Sequence, residues 1–407
     1  MNDLKNKLPL RLTIVDALRG FALMALFLIH MVEYFELYWY QPEPGIVHDV
    51  MFFLFAGKAY AIFALLFGVS FFIQMENQAL KGLDFRARFA WRLCLLFIMG
   101  YLHGLLYSGD ILQVLAISGL LLLLLFQQSN KVIITLALLL LLQVPLILHL
   151  VLTILEPSLA NSQPWHWSLM PKNFEVYANG NFKELLVTNS FDGQFGKWLF
   201  FIESGRIYSV LGLFLLGLFV ARQGWFSKVE QLKKQMLIAF VITILSAFLW
   251  HACSSLSQPL ALTGISLWLF NNIVNSYLNL SLTLAGILLF CLLYQLSIFT
   301  RLLNLLAPCG RMSLTLYVSQ SLIGVPIYYG FALSGFQTLG QVNSLLLALV
   351  LWAVQMIFAH LWLIKYKYGP LEWCWRILTY GKTLRTQTCA QRLTVAESEA
   401  ELSGDNR

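Results

Sequence analysis

Long apolar runs separated by short polar segments dominate the hydrophobic pattern of this 407-residue chain. A helix that crosses a bilayer needs about 20 consecutive apolar residues. By this measure the chain contains ten candidate spans, at 12–33, 50–74, 89–108, 111–126, 132–155, 203–221, 236–254, 266–298, 312–333 and 342–364. The runs are Leu-rich and continuous, whereas the strands of a membrane barrel alternate apolar and polar residues. The pattern therefore predicts an all-α polytopic integral membrane protein.

Lysine and arginine are concentrated in every second connection between these spans. The connections 34–49, 108–110, 255–265 and 334–341 contain none, whereas the intervening connections and both flanks each contain at least one. Because short cytoplasmic loops collect Lys and Arg, we expect both termini in the cytoplasm. The chain is then a multi-pass protein of the cytoplasmic (inner) membrane.

One transmembrane helical domain, residues 1–382, accounts for nearly the whole chain. Its one sizeable outer loop is predicted at 156–202, which is rich in Trp and is either an interfacial anchor or a lid over an acceptor. The polar segment 383–407 is expected to be a disordered cytoplasmic tail.

The amino-acid composition supports a membrane protein and argues against a soluble domain, a nucleic-acid-binding protein and a disulfide-rich protein. The chain is 59% hydrophobic and 12% charged, against about 25% charged in soluble domains. Its net charge of +7 is explained by the basic cytoplasmic loops, so no nucleic-acid partner is expected. The six cysteines are scattered without a Cys-x-x-Cys pair, so we expect neither a disulfide framework nor a metal site.

The first span carries charges that a simple membrane anchor would lack. Asp16, Arg19 and His30 all lie within it. Arg19 and His30 are three helical turns and about 16 Å apart, so both project from one face, and Asp16 lies one turn before Arg19. Ionisable groups inside a bilayer are costly and usually face a protein interior or a wet cavity. This stripe predicts one wall of a functional site.

Further ionisable residues lie toward the predicted outer side. Lys58 is in the second span, His103 is near the end of the third, and Asp110 follows it. Lys58 is either part of the site or a structural partner of a carboxylate. His103 is either functional or a helix–helix hydrogen-bonding residue. A zinc site formed by His30, His48 and His103 is disfavoured, because no short ligand spacing supports it.

Basic residues toward the predicted cytoplasmic side suggest a second role. A guanidinium group binds phosphate through two parallel hydrogen bonds. The candidate phosphate-binding residues are Arg86, Arg88, Arg92 and Arg311. The alternative is that the first three serve only to set the membrane topology.

Four stretches of the chain resemble one bacterial membrane-protein family. They are Val-Asp-Ala-Leu-Arg-Gly-Phe-Ala at 15–22, Gly-Lys with Phe-Ala-Leu-Leu-Phe-Gly within 57–68, Gly-Arg-Met-Ser-Leu-Thr-Leu-Tyr at 310–317, and Tyr-Gly-Pro-Leu-Glu-Trp at 368–373. Their order and sequence resemble the domain-of-unknown-function 418 family, the YeiB-like membrane proteins. That family is similar to a wider group of transmembrane acyltransferases. In the acyltransferase-3 proteins of that group, ten residues separate an arginine and a histidine in the first span, as they do Arg19 and His30 here.

The resemblance implies an acyl-CoA-dependent membrane acyltransferase. It would move an acyl group, expected to be acetyl, from cytoplasmic acetyl-CoA to an extracytoplasmic glycan or lipid-linked acceptor. His30 would act as the general base or carry the acyl group, and Arg19 or Lys58 would stabilise developing negative charge. Asp16, His103 and Asp110 are further catalytic candidates.

Two other functions remain open at this point. The same polar stripe would suit a transporter of a small anion or lipid, and a non-catalytic membrane protein is the third reading. Association into a homo-oligomer is also left open. The sequence names neither the acceptor nor the acyl chain.

Overall fold

A computed structural model of the chain describes residues 12–160 and 162–381. The segment 383–407, predicted to be a disordered tail, lies outside the described residues.

The described residues form helices and contain no strand. The α-helices are α1 (Thr13–Val32), α2 (Ile46–Phe55), α3 (Lys58–Ala79), α4 (Arg86–Leu106), α5 (Leu112–Leu125), α6 (Asn130–Leu141), α7 (Val144–Leu155), α8 (Pro157–Ala160), α9 (His166–Asn179), α10 (Phe182–Ser190), α11 (Asp192–Glu203), α12 (Arg206–Arg222), α13 (Lys233–Cys253), α14 (Gly264–Leu293), α15 (Ser297–Asn304), α16 (Ala307–Arg311), α17 (Ser313–Tyr328), α18 (Gly340–Lys365) and α19 (Pro370–Tyr380). Short 3-10 helices lie at Leu37–Trp39, Trp225–Ser227, Ser254–Ser257 and Gly335–Gln337.

Among the described residues, six helical segments are long and apolar enough to cross a membrane. They are Thr13–Trp39, Ile46–Ala79, Arg86–Leu106, Lys233–Ser257, Gly264–Leu293 and Gly340–Lys365. Two bent pairs raise the total to as many as eight, α6 with α7 at 40° and α11 with α12 at 70°. The other two predicted spans correspond to α5 and α17, which have 14 and 16 residues. The structure is therefore that of a helical membrane protein, while the count of ten spans and their orientation stay predictions.

The second predicted span is interrupted between α2 and α3. Gly57 has a φ of +78°, in the left-handed region that glycine adopts without a steric penalty. Lys58 Nζ then donates to the carbonyl of Phe52 at 3.3 Å, in the last turn of α2. The ammonium group thus satisfies one of the carbonyl groups that a helix end leaves without a partner.

Helix α1 forms the centre of the bundle. It packs against α3, α16 and α18, and Leu18, Leu23 and Phe27 on it are fully buried. Helix α13 is the opposite case, because it packs chiefly on α14 and leaves most of its apolar side chains exposed. Such a surface suits lipid tails, which are as apolar as leucine.

Glycines let α3 and α12 approach each other closely. A Cβ atom on Gly68 would overlap the carbonyl of Phe214, and one on Gly217 would overlap the carbonyl of Leu65. Small residues at such crossings are typical of helix packing in membranes, where backbone contact replaces the hydrophobic driving force.

The segment 156–202, expected to be an outer loop, is folded into α8 to α11. Tyr177 of α9 stacks on Tyr329 with ring centroids 5.1 Å apart, and its carbonyl accepts from the N–H of Gly330 at 3.0 Å. These helices close the end of the bundle at which α1 finishes. We call this the His30 end, and the opposite end, where α1 begins, the Arg19 end.

Candidate functional site

Arg19 ties α1 to two neighbouring helices. Its Nη1 lies 3.3 Å from Asp16 Oδ1, one turn earlier on α1. The same nitrogen donates to the carbonyl of Gly310 on α16 at 3.3 Å, and Nη2 donates to Ser70 Oγ on α3 at 2.5 Å. The expected pairing of Asp16 with Arg19 is therefore present. The chemical role of both residues stays a prediction.

A cavity of about 250 Å³ begins beside Arg19 and runs into the bundle. Its walls come from α1, α3, α4, α5, α16, α17 and α19 and are largely apolar, with Phe63, Phe67, Phe71 and Phe89 among them. Three arginines line it, namely Arg19, Arg92 and Arg311. Its inner part is lined by Leu26, Ile111, Leu112 and Tyr317. The cavity thus joins a cationic region to the interior of the bundle.

Arg92 is the most deeply placed of the predicted phosphate-binding residues. Its guanidinium lies 4.1 Å above the ring of Trp375, and its backbone carbonyl accepts from the Trp375 indole N–H at 3.0 Å. Its Nε is buried and has no hydrogen-bond partner among the described residues. A buried donor without a partner is costly, and an anionic group in the cavity would satisfy it.

The other predicted phosphate ligands divide into two groups. Arg311 lines the cavity, whereas Arg86 and Arg88 do not. Arg86 is half exposed and pairs with Asp84 at 2.7 Å. Hydrogen bonds from Arg86 lower the pKa of Asp84 to about 2, so the pair stays ionised near neutral pH. The structure therefore brings two of the four arginines into the cavity and leaves two at the surface.

Glu372 is a cavity residue that sequence reasoning did not select. One carboxylate oxygen accepts from the N–H groups of Leu314 and Thr315, at 2.7 and 3.1 Å. The other accepts from the hydroxyl of Thr315 at 2.5 Å. Glu372 thus caps the first turn of α17, whose N–H groups have no partner within the helix. Its position in a stretch that resembles the family was the available signal.

A histidine–carboxylate pair lies next to Tyr317 of the cavity wall, although neither member of the pair lines the cavity. Asp110 is fully buried, and its Oδ1 is 2.8 Å from His103 Nδ1. Its Oδ2 accepts from the N–H of Leu112 at 3.0 Å. His103 Nε2 is buried and has no hydrogen-bond partner among the described residues. A carboxylate on one ring nitrogen leaves the other free to take a proton, as in a catalytic triad.

Tyr317 connects this pair to the cavity. Its side chain lines the cavity, and its ring centroid lies 5.3 Å from that of His103. Its hydroxyl accepts from the N–H of Ile111 at 3.2 Å. A molecule that fills the cavity would therefore reach the neighbourhood of His103 and Asp110.

His30 does not line the cavity and instead belongs to a separate hydrogen-bonded group. Its Nδ1 lies 3.0 Å from the hydroxyl of Tyr107, which in turn donates to Glu36 Oε1 at 3.1 Å. The ring of Tyr107 contacts both imidazoles, with centroids 5.3 Å from His30 and 6.4 Å from His103. Sequence reasoning missed Tyr107 and Glu36 because both lie outside the predicted polar stripe.

Lys58 and His48 have the contacts of structural residues. Lys58 is buried at the α2–α3 break and does not line the cavity. The ring of His48 stacks on Tyr38 with centroids 3.9 Å apart. Within the described ranges, no group of three or more His, Cys, Asp and Glu side chains could hold a metal ion.

A buried lysine also lies at the His30 end. Lys197 is 6% exposed, and its Nζ donates to Gln194 Oε1 at 2.7 Å. Gln113 Nε2 donates to the same oxygen at 2.9 Å. The carboxylate of Asp110 is close enough to interact with the charge of Lys197. A lysine within the apolar run Gly-Lys-Trp-Leu-Phe-Phe-Ile was the available sequence signal, but that run lay in the predicted outer loop.

The fold and the cavity together define a helical membrane protein with an arginine-lined internal cavity. A family model described as "Protein of unknown function (DUF418)" matches residues 220–382, which include α13 to α19. Three relatives match over nearly the whole chain. One is the "Uncharacterized 39.9 kDa protein in amylase 3'region" of Bacillus acidopullulyticus, which is 27% identical over 91% of this chain and 94% of its own. The others are YxaH of Bacillus subtilis, 25% identical over 91% and 94%, and YeiB of Escherichia coli, 26% identical over 90% and 95%.

The chain is therefore similar to the DUF418 family of YeiB-like membrane proteins, through the family model over residues 220–382 and through three relatives over nearly its whole length. No solved structure matches it. The part matched by the family model contributes Arg311, Tyr317 and Glu372 to the cavity.

Proposed function

We propose that this protein is a membrane acyltransferase that moves an acyl group, acetyl in the simplest case, from acyl-CoA to a glycan or lipid-linked acceptor. The observation that carries the proposal is the single cavity that runs from three arginines to Tyr317, beside His103 and Asp110. The resemblance to transmembrane acyltransferases points to the same chemistry.

The proposed topology has ten crossings, with both termini in the cytoplasm of the cell and the chain in its inner membrane. The Arg19 end then faces the cytoplasm, where acyl-CoA is made. The helices α8 to α11 lie on the outer side, where a surface glycan or lipid-linked sugar would arrive. The alternation of Lys and Arg supports this orientation.

The donor would enter the cavity from the Arg19 end. Arg92 and Arg311 would bind the phosphates of CoA, and the unsatisfied Nε of Arg92 supports its part in this. The phenylalanine-rich walls suit the thin pantetheine arm. Arg86 and Arg88 would only add positive charge at the entrance. The thioester would then lie toward Tyr317.

His30 is the proposed general base because its ring is partly accessible, whereas the ring of His103 is enclosed. Its Nε2 takes the proton of the acceptor hydroxyl or amine as the acceptor atom bonds to the thioester carbonyl carbon. The C–S bond then breaks, and the proton passes from His30 to the leaving CoA thiolate. Asp16 would hold Arg19 in place at the entrance of the cavity, where Arg19 would bind negative charge on the donor. His103 with Asp110 is the alternative base.

The test uses purified protein in nanodiscs with labelled acetyl-CoA and a membrane glycan extract. We expect the wild type to bind CoA and to transfer label. His30→Asn is expected to lower turnover by about 10²–10⁴ with CoA affinity unchanged. His149→Asn is the matched control, because His149 is exposed.

Two results would contradict parts of this proposal. A wild type that neither binds CoA nor transfers label would overturn the enzyme assignment. Full turnover by His30→Asn would move the base to His103, and His103→Asn would then be the inactive variant.

Transport is the second candidate function, and the bent helices favour it. The pairs α6–α7 and α11–α12 are broken by 40° and 70°, and broken spans form the substrate sites of many transporters. Proteoliposomes that accumulate a labelled anion or flip a labelled lipid, without acyl transfer, would support this function over the first.

A further inference from the structure

We propose that Glu36, acting through Tyr107, holds His30 in the tautomer that carries its proton on Nδ1 and leaves Nε2 bare. The catalytic meaning of this arrangement rests on the proposed function, but the arrangement itself does not. Glu36 and Tyr107 are positioning residues in this proposal.

The backbone after α1 is strained in a way that places Glu36 beside Tyr107. Tyr34, Phe35 and Glu36 have φ values of +53°, +51° and +80°. Non-glycine residues in the left-handed region are uncommon and persist only where the surrounding structure enforces them. Three consecutive residues of this kind are maintained here by packing rather than by local preference.

Phe35 provides that packing. It is fully buried, and its ring lies 5.2 Å from that of Tyr107 and 6.2 Å from that of Tyr328. Its N–H donates to the carbonyl of His30 at 2.7 Å. A Cβ atom on Gly324 would overlap the Phe35 ring. The turn is therefore anchored on both sides, and it directs Glu36 back toward the end of α1.

Counting protons along the hydrogen bonds gives the tautomer. Tyr107 has one O–H donor, and an ionised carboxylate can only accept. With Glu36 Oε1 at 3.1 Å, the Tyr107 proton points to Glu36. The hydroxyl oxygen must then accept from His30 Nδ1, 3.0 Å away. A neutral imidazole has a single N–H, so Nε2 is left with its lone pair.

Arg206 and the hydrogen bond from Tyr107 favour the ionised form of Glu36, whereas its burial opposes ionisation. The Tyr107 proton can be donated to Glu36 Oε1 in either form, because a protonated carboxyl group keeps one acceptor oxygen. The positive charge of Arg206, from α12, acts on both Glu33 and Glu36. Glu33 accepts from the indole N–H of Trp39 and so has a partner of its own. The other imidazole in this region belongs to His103, whose Nδ1 is fixed by Asp110.

The tautomer can be measured directly by nitrogen NMR. The protein is labelled with ¹⁵N-histidine and studied in nanodiscs at pH 8, and His30→Asn and His103→Asn assign the two rings. We expect a protonated Nδ1 and a bare Nε2 for His30. Tyr107→Phe and Glu36→Gln should each give a mixture of both tautomers for His30. His103 should keep its tautomer in both variants, because Asp110 is unchanged.

Two outcomes would overturn the proposal. A bare Nδ1 in the wild type would mean that Tyr107 donates to His30 and that Glu36 is protonated. An unchanged His30 tautomer in both variants would mean that another group fixes the ring. Neither measurement requires acyl transfer, so failure here is distinguishable from failure of the proposed function.

Discussion

At the scale of single residues, two arginines of the same helix differ in how deeply they are buried in the bundle. Arg88 and Arg92 lie one turn apart on α4. Arg88 is partly exposed with its guanidinium 5.8 Å from the ring of Tyr380, whereas Arg92 is buried in the cavity wall against Trp375. A charge in a low-dielectric cavity binds an anion more strongly than one screened by water. The two arginines should therefore differ in their contribution to ligand binding.

Arg92→Gln is expected to weaken the binding of CoA about tenfold or more, which corresponds to losing one charged hydrogen bond of about 1.5–3 kcal/mol. Arg88→Gln is the matched control and should leave the dissociation constant close to that of the wild type. Isothermal titration calorimetry with CoA on the purified protein gives both values. Equal losses in the two variants would show that the arginines act only as general surface charge.

At the scale of helices, the crossing of α3 and α12 depends on the absence of side chains. Gly68 and Gly217 each face a carbonyl group of the partner helix. α3 also carries Ser70, the partner of Arg19, so the position of this helix affects the cavity. A methyl group at either glycine would push the two backbones apart, because close-packed interiors have no spare volume.

Gly217→Ala is expected to lower the stability of the folded protein by about 1–3 kcal/mol, the usual cost of an overpacked position. Gly286→Ala on α14 is the control, because a Cβ atom there would have no neighbour within 4 Å. It should leave stability unchanged or raise it by up to about 1 kcal/mol, through the helix preference of alanine. Thermal unfolding in detergent compares the two variants. A destabilised control with an unaffected Gly217→Ala would refute the role of this crossing.

At the scale of the whole molecule, the cavity is asymmetric. Its arginines lie at the Arg19 end, and the histidine–carboxylate pair lies toward the His30 end, beneath α8 to α11. If the donor comes from the cytoplasm and the acceptor from the outer side, the Arg19 end of the cavity must face the cytoplasm and the His30 end must face outward.

Cysteine labelling should place residue 172 outside and residue 228 inside. Lys172→Cys and Lys228→Cys, both at exposed positions, are made in a background without the native cysteines. An impermeant maleimide is expected to label Lys172→Cys in intact spheroplasts and to label Lys228→Cys only after permeabilisation. The reverse pattern would invert the proposed topology and remove a cytoplasmic donor from the mechanism.

Much of the helical architecture could be predicted from the sequence. Every predicted span coincides with at least one helix of the structure, because membrane-length apolar runs leave the backbone no partner except itself. The break inside 50–74 could not be placed, since it depends on how Lys58 meets the end of α2. The helices within 156–202 were also not predicted, because each amphipathic stretch there is short and is interrupted by residues typical of loops.

The sequence by itself determined two kinds of property: contacts between residues of one helix, and the overall class of the protein. The membrane class follows from composition, and the pairing of Asp16 with Arg19 follows from their separation by one turn. Only the tertiary structure decided which arginines enter the cavity, and that His103 pairs with Asp110 while His30 meets Tyr107, 77 residues away. Helical periodicity fixes the face on which a side chain lies. The distance between two such faces depends on how closely the helices pack, and that is set by small residues and strained turns far apart in the chain.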